Sequence, residues 1–155
     1  MIRARACLHI SAFGLPFSAA LAWSSWIAHR DPWIFLRMTL IFGGFGAVAA
    51  EIAAWLRWSA LERRVRALTG GWQTGIGMAA ITHLLFGVLL GVVLTLSIGW
   101  EKAIGNGGVS DLVIQAGFFF AASLLTVGWI TFPTTALLAH GIAARRRKEL
   151  IDGAR

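Results

Sequence analysis

Four long apolar stretches divide the chain, and short polar segments separate them. The stretches run over about residues 7–28, 38–56, 75–99 and 112–139. A membrane span needs about 20 apolar residues, and each stretch is long enough. Inside a bilayer the backbone must satisfy its own hydrogen bonds, so all four stretches are predicted to be helices. The pattern predicts an all-α membrane protein with a single integral membrane domain over residues 1–155.

The connections between the stretches are short, which predicts that neighbouring helices run in opposite directions. Residues 29–33 link the first pair and contain Pro32, which suits the start of a helix. Residues 100–111 link the last pair and contain a glycine-rich turn signal. The predicted fold is therefore an antiparallel four-helix transmembrane bundle.

The segment at residues 59–72, between the second and third stretches, has its own pattern. Ser59 and Glu62 match a capping box at the start of a helix. An apolar stripe follows at helical spacing, formed by Leu61, Val65 and Leu68. Two structures fit this pattern: a short amphipathic helix on the inner leaflet, or a second helix that continues into the cytoplasm.

Composition excludes several protein classes. Charged residues make up 14% of the chain, against about 25% in soluble proteins. The mean hydropathy is +0.72. These values exclude a disordered chain and argue against an ordinary soluble enzyme.

The net charge of +7 is distributed unevenly. Such an excess usually suggests nucleic-acid binding, but here the basic residues flank the apolar stretches. Eleven lie on one predicted side, against three on the other, Arg30, Arg37 and Lys102. This positive-inside pattern predicts a multi-pass protein of the bacterial inner (plasma) membrane, with both termini in the cytoplasm and no nucleic-acid partner.

Two basic clusters lie on the predicted cytoplasmic side. They are Arg63, Arg64 and Arg66 in the 59–72 segment, and Arg145, Arg146, Arg147 and Lys148 in a tail over residues 141–155. Basic side chains near an anionic membrane surface each contribute about 1 kcal/mol to binding. The clusters either set topology alone or contact the anionic lipids of the inner leaflet or a partner.

The first stretch also fits a second interpretation. Arg3 and Arg5 precede an apolar run that ends in Ala20-Leu21-Ala22, a layout typical of a cleaved signal peptide. Cleavage would remove residues 1–22 and leave three spans. Because the apolar run continues to Ala28, a retained first span is favoured.

Glu51 is the only acidic residue in the sequence of the four apolar stretches. An ionisable group inside a membrane needs a partner. Glu51 and His83 each lie about 6 Å from the centre of their span, on the cytoplasmic side, at 1.5 Å per residue. The sequence therefore predicts an intramembrane Glu51–His83 pair. Such a pair either fixes helix packing or handles protons or a solute.

Small residues predict how the helices pack. Gly44 and Ala47 share a face with Glu51, and Gly87 and Gly91 form a GxxxG stripe with His83. We expect these two faces to pack against each other. Pro133 predicts a kink in the fourth helix. The hydroxyl residues of that helix either bond to their own backbone or line a pathway.

No cofactor is predicted. The chain has one cysteine. Only His9 and His140 fall at a common predicted depth, and that depth is close to the headgroups, so the histidines do not form a convincing haem pair. Phosphate-binding, zinc-protease and nucleophile-elbow motifs are missing from the sequence. Neither haem nor a metal ion is expected.

Two main functional hypotheses follow. The first is a non-enzymatic accessory or scaffold subunit, with other membrane subunits or further copies as partners. The second is a small homo-oligomeric transporter or channel that uses Glu51 and His83 for proton or solute handling. A lipid-modifying membrane enzyme is a third possibility that no motif supports.

Overall fold

The computed structural model describes residues 2–28, 30–99 and 109–152, and within these residues it is helical without strands. Its elements are α1 (Ile2–Ile27), α2 (Pro32–Arg66), α3 (Trp72–Ile98), α4 (Val109–Ser123), a π-helical turn (Leu124–Gly128) and α5 (Trp129–Asp152). We call α4, the π-helical turn and α5 together the fourth segment. All four helical segments are long and apolar enough to cross a membrane. This confirms the prediction of four apolar helices.

Helix α2 is longer than its apolar stretch. It begins at Pro32, after Asp31 caps the first turn by accepting hydrogen bonds from the amides of Trp33 and Ile34, at 2.9 and 3.1 Å. Its 35 residues make it about 52 Å long, well beyond the roughly 30 Å of a bilayer core. Ser59 therefore lies inside a continuous helix, and the predicted capping box is wrong.

The end of α2 is closed by a left-handed residue. The amide of Leu68 donates to the carbonyl of Val65 at 3.2 Å, and that of Thr69 donates to the carbonyl of Arg64 at 3.0 Å. This is a Schellman motif, in which glycine usually occupies the left-handed position. Leu68 takes it instead, with φ of 56° and 76% of its surface exposed. Leu68 therefore does not continue the apolar stripe.

A buried apolar cluster holds one end of the bundle together. Leu61 and Val65 of α2 are each 1% exposed and lie at its centre. The cluster also includes Ala4, Leu8, Ala54, Met78, Ala139, Ile142 and Ala143. The stripe at the end of α2 thus packs into the protein and does not lie on a lipid surface, so α2 continues instead of breaking into a separate amphipathic helix. We call this region, formed by the start of α1, the end of α2, the start of α3 and the end of α5, the closed end.

The helices pack mainly in chain order. Helix α1 packs on α2, α2 packs on α3, and α3 packs on both α4 and α5. Helices α1 and α5 meet at the closed end, where Ala4 and Leu8 share a cluster with Ala139 and Ile142. Helices α1 and α4 make at most a marginal contact. A groove therefore separates α1 from the fourth segment.

Candidate functional site

The groove contains a cavity with a volume of about 760 Å³. One wall is α1 from Leu8 to Trp26, the other is the fourth segment from Phe118 to Ala139, and α2 and α3 form the floor. Leu8 and Trp26 are separated by about 27 Å of helix. This length is close to the roughly 30 Å thickness of a hydrocarbon core, so the groove extends over the depth of a bilayer.

Small and hydroxyl-bearing side chains are frequent in the lining. The small residues include Ala12, Ala19, Ala20, Ala22, Gly46, Ala50, Ala54, Ala79 and Ala122. The hydroxyl residues are Ser11, Ser18, Thr82, Ser123, Thr126, Thr131, Thr134 and Thr135. Interfaces between membrane helices are enriched in these residue types, because small side chains let backbones approach closely and hydroxyls bond across helices. The lining therefore has the composition of a helix-packing surface.

His83 is the most polar buried group of the groove floor and is 5% exposed. Its Nδ1 lies 3.0 Å from the hydroxyl of Ser123, and its Nε2 lies 2.7 Å from the hydroxyl of Thr131. Its ring stacks on Phe132, with centroids 5.6 Å apart. The residue thus joins α3 to both halves of the fourth segment.

The surrounding hydrogen bonds favour one tautomer of His83. The hydroxyl of Ser123 donates to the carbonyl of Phe120 at 2.8 Å, so it is left to accept from His83 Nδ1–H. The hydroxyl of Thr131 then donates to Nε2 over the short 2.7 Å distance. A neutral imidazole protonated at Nδ1 fits these distances, since the carbonyl of Gly128, the other acceptor near the Thr131 hydroxyl, is farther away at 3.3 Å. The contacts of both ring nitrogens indicate a structural role for the ring.

The two partners of His83 flank the π-helical turn at Leu124–Gly128. The departure from α-helical hydrogen bonding lies at this turn, on the N-terminal side of Pro133, which is inside α5. Both π turns and proline can bend a helix. The kink predicted at Pro133 stays a prediction, and the π turn is a feature that the sequence analysis missed.

Most hydroxyls of the fourth segment bond to their own helix. Thr126 donates to the carbonyl of Ala122 at 2.8 Å, and Thr134 donates to that of Ile130 at 2.7 Å. Thr135 donates in the same way to Thr131 at 2.6 Å. Of the two interpretations offered by the sequence, back-bonding is therefore the one that these residues follow.

The predicted Glu51–His83 hydrogen bond is not among those that the described residues form. Glu51 pairs instead with His9 of α1, with Nδ1 and Oε2 separated by 2.6 Å. These two side chains are 31% and 36% exposed. Depth along the helix axis indicated a shared level, but the two residues face different neighbours: Glu51 faces α1, and His83 faces the fourth segment.

The small residues of α3 also face the fourth segment. A Cβ atom added to Gly87 would lie 2.7 Å from the carbonyl oxygen of Ala116 and 2.8 Å from the amide nitrogen of Phe120. One added to Gly91 would lie 3.2 Å from the nitrogen of Ala116. The prediction that this stripe packs against the Glu51 face of α2 is therefore wrong.

On α2, the sequence predicted Gly44 as a helix-packing residue, but other glycines approach the neighbouring helix. A Cβ at Gly44 would meet nothing within 4 Å, although Ala47 is buried as expected. Gly43 and Gly46 instead lie against α1, where a Cβ at Gly46 would be 2.8 Å from Pro16. The packing face of α2 is turned toward α1.

The stripe on α3 is longer than the GxxxG motif. Its members follow every fourth residue: Gly71, Gly75, Ala79, His83, Gly87, Gly91 and Thr95. A Cβ at Gly71 or Gly75 would overlap with backbone carbonyls of α5. The hydroxyl of Thr95 lies 3.4 Å from the side-chain oxygen of Gln115 on α4. The sequence analysis predicted only the part of this stripe formed by His83, Gly87 and Gly91.

The basic tail residues do not act as one surface. Arg146 is 8% exposed and forms ion pairs with Glu62 at 2.9 Å and Glu149 at 3.3 Å. Arg147 donates a hydrogen bond to the backbone carbonyl of Thr69. Of the interpretations offered by the sequence, a lipid-surface or partner role therefore does not apply to Arg146, because its charge is compensated inside the closed end. The side chains that stay exposed are Arg63, Arg66, Arg145 and Lys148.

The Glu149 carboxyl, which pairs with Arg146, has a pKa below its usual value. Burial acts to raise the pKa of the Glu149 carboxyl, but neighbouring positive charge, including the Arg146 guanidinium, outweighs this effect and lowers the pKa. The ion pairs thus join the end of α2 to α5. Lys102 and Arg155 lie outside the described residues.

Within the part of the chain that the structure describes, no three His, Cys, Asp or Glu side chains come together as a possible metal site. No family model, curated protein or solved structure matches this chain.

Proposed function

We propose that this protein is a non-enzymatic membrane subunit that docks one transmembrane helix of a partner protein in the groove between α1 and the fourth segment. The observation that carries the proposal is the groove itself, which extends over about a bilayer depth and is rich in small residues and hydroxyls. Two neighbouring walls of a helical bundle are left apart, and a further helix would complete it.

The size of the groove limits how the partner helix would sit. A helix about 10 Å across and about 27 Å long occupies roughly 2,000 Å³. The groove holds about 760 Å³, so it takes one face of such a helix and leaves the other face to lipid or to other subunits. Partner residues on the docked face would be small or apolar, because the lining offers few charges.

The helices are proposed to have a defined orientation in the membrane. We infer that the four segments alternate in direction, with both termini and the closed end in the cytoplasm of a bacterial cell. The closed end combines the start of α1 with the end of α2, as in the approach of Arg5 to the Trp58 ring at 5.9 Å. The eleven-to-three distribution of basic residues supports the same orientation.

The transport hypothesis has less support. It used a Glu51–His83 pair to handle protons or a solute, and each of these residues has its own partner on a different helix. The hydroxyls that would line a pathway are mostly bonded to their own backbone. A second copy of this chain in the groove is an alternative occupant that the following experiment distinguishes from a partner protein.

Two neighbouring alanines allow a matched test of the groove. Ala122 lines the groove, whereas Ala121 is exposed on another face of the same helix. The wild type and the Ala121→Trp and Ala122→Trp variants would be extracted into native nanodiscs from the source cell. Native mass spectrometry would then identify the chains that accompany each protein.

We expect the wild type and Ala121→Trp to carry a foreign membrane subunit at fixed stoichiometry. Ala122→Trp should lose that subunit while keeping a similar thermal unfolding temperature, since the new side chain fills empty groove. Retention of the subunit by Ala122→Trp would overturn the proposal. So would a wild-type protein accompanied only by copies of itself.

A further inference from the structure

A second cavity lies on the closed end, beside the turn between α2 and α3. Its volume is about 470 Å³. Its lining is formed by Arg57, Ala60, Arg63, Arg64, Ala67, Thr69 and Thr74. We call it the arginine pocket. Three of its seven lining residues carry a positive charge, and none carries a negative charge.

The described residues give these arginines no carboxylate partner. The acidic residues nearest in the chain are used elsewhere, because Glu51 pairs with His9 and Glu62 pairs with Arg146. The Nε–H group of Arg57 is buried and donates no hydrogen bond to any group in the described part of the chain. A buried N–H donor without a partner is costly, so an anion that accepts a hydrogen bond from it in the pocket would be stabilising.

The start of α3 adds to the positive potential. The helix begins after Gly71, which has no side chain to cap the free amides of the first turn. Thr74 of that turn is buried and lines the pocket. The amino end of a helix carries a partial positive charge and free N–H groups, both of which favour an anion.

We propose that the arginine pocket binds a phosphate group, carried by an anionic phospholipid headgroup or by a soluble phosphate compound. Guanidinium groups bind phosphate through paired hydrogen bonds, and three of them line this cavity. Its volume of about 470 Å³ leaves room for the alcohol attached to the phosphate, since ligand pockets measure about 300–1,000 Å³. The site is separate from the groove and does not depend on the docking proposal.

The test measures binding to the purified full chain by native mass spectrometry. In one arm, the protein in mild detergent receives phosphatidylglycerol, phosphatidic acid or phosphatidylcholine. In the other arm, inorganic phosphate and glycerol phosphate are added, alone and in competition with the lipid. A bound anionic lipid that resists soluble phosphate identifies the lipid as the source. Displacement of the lipid, or direct binding of soluble phosphate, identifies a soluble ligand.

Variants separate the pocket from general attraction to positive charge. Arg57→Gln and Arg63→Gln each remove one charge from the pocket, and Arg145→Gln removes one from an exposed position outside it. We expect each pocket variant to weaken binding about tenfold, which corresponds to about 1.4 kcal/mol. Arg145→Gln should change binding by less than about twofold.

Because Arg63 is exposed, its replacement leaves the buried cluster intact and keeps the test valid if Arg57→Gln fails to fold. Equal losses in Arg63→Gln and Arg145→Gln would overturn the proposal, since they would show unspecific attraction. Absence of preference for anionic lipid over phosphatidylcholine, together with no binding of soluble phosphate, would also overturn it.

Discussion

The closed end and the groove are built from the same four segments but differ in how their side chains are used. At the closed end, Leu61 and Val65 are almost completely buried, and Arg146 bridges α2 and α5 through compensated ion pairs. Along the groove, α1 and α4 make at most a marginal contact, and an open cavity of about 760 Å³ lies between them. The closed end is therefore closely packed, whereas the groove leaves α1 and α4 without close mutual contact, which is the feature that the proposed partner helix would use.

This difference separates stability from binding within one small domain. Residues that anchor the helices lie at the closed end and along the stripe of α3, where backbones approach closely. Residues that would meet a partner lie on α1 and on the groove side of the fourth segment. Substitutions in the first set should lower stability, and substitutions in the second set should change binding with little effect on stability.

The largest expected effect comes from opening the closed end. Arg146→Ala leaves the carboxylate of Glu62, which is 16% exposed, without its counter-charge, and loss of one partner of a fully buried pair costs about 3–5 kcal/mol. Because Glu62 is partly accessible, we expect about 3 kcal/mol of the free energy of unfolding to be lost, measured by denaturation in detergent. Arg145→Ala, at the exposed neighbouring position, should change it by less than about 0.5 kcal/mol. Similar effects in both variants would contradict the closed-end description.

A smaller effect is expected along the α3 stripe. Gly87→Ala forces a methyl group against the backbone of α4, and such overpacking typically costs about 1–3 kcal/mol. Gly44→Ala meets open space, so it should be neutral or should stabilise the helix by up to about 1 kcal/mol. Thermal unfolding of the two variants in the same detergent checks this difference. A destabilised Gly44→Ala would restore the packing face predicted from the sequence.

The polar contact on the groove floor should contribute less. Thr131→Val removes the donor to His83 Nε2 without a large change of shape, and we expect a loss of about 0.6–2 kcal/mol in the free energy of unfolding. Thr134→Val is the matched control, because the Thr134 hydroxyl bonds only to the carbonyl of Ile130 among described groups. Equal unfolding free energies for the two variants would show that the His83 contact does not join the helices.

The smallest effect concerns the turn after α2. Leu68 takes a left-handed conformation that costs a non-glycine residue about 1–2 kcal/mol. Leu68→Gly relieves this strain, but glycine loses more entropy on folding, so a net stabilisation of about 0.5 kcal/mol is expected. Leu68→Ala, which retains the strain, should give no such gain. A lower unfolding temperature for Leu68→Gly would contradict the Schellman assignment.

The sequence predicted the four apolar helices because hydropathy and length are local properties of the chain. It did not predict where α2 ends, since the stripe of Leu61 and Val65 fits a lipid-facing helix as well as a buried one. The stripe is buried because α1 and α5 pack around it, and these contacts are not visible in the local sequence. No sequence pattern predicted the π-helical turn at Leu124–Gly128. The predicted irregularity was a kink at Pro133, in the following helix.

The pairing of polar residues was harder to predict than their depth. Counting residues placed Glu51 and His83 at similar levels, but it did not show toward which neighbour each helix turns them. The fourfold spacing from Gly71 to Thr95 contained part of the missing information, because it marks one continuous packing face. Which helix covers that face depends on tertiary contacts, here the approach of Ala116 and Phe120 to Gly87.

The docking of a partner helix in the groove is tested most directly by photo-cross-linking in the native membrane. A benzophenone-bearing residue would replace Ala122, which lines the groove, or Ala121, which lies on another face. The account predicts a cross-link from position 122, but not from position 121, to a transmembrane segment of another protein. Cross-links from position 122 to lipid alone, or to a second copy of this chain, would contradict it.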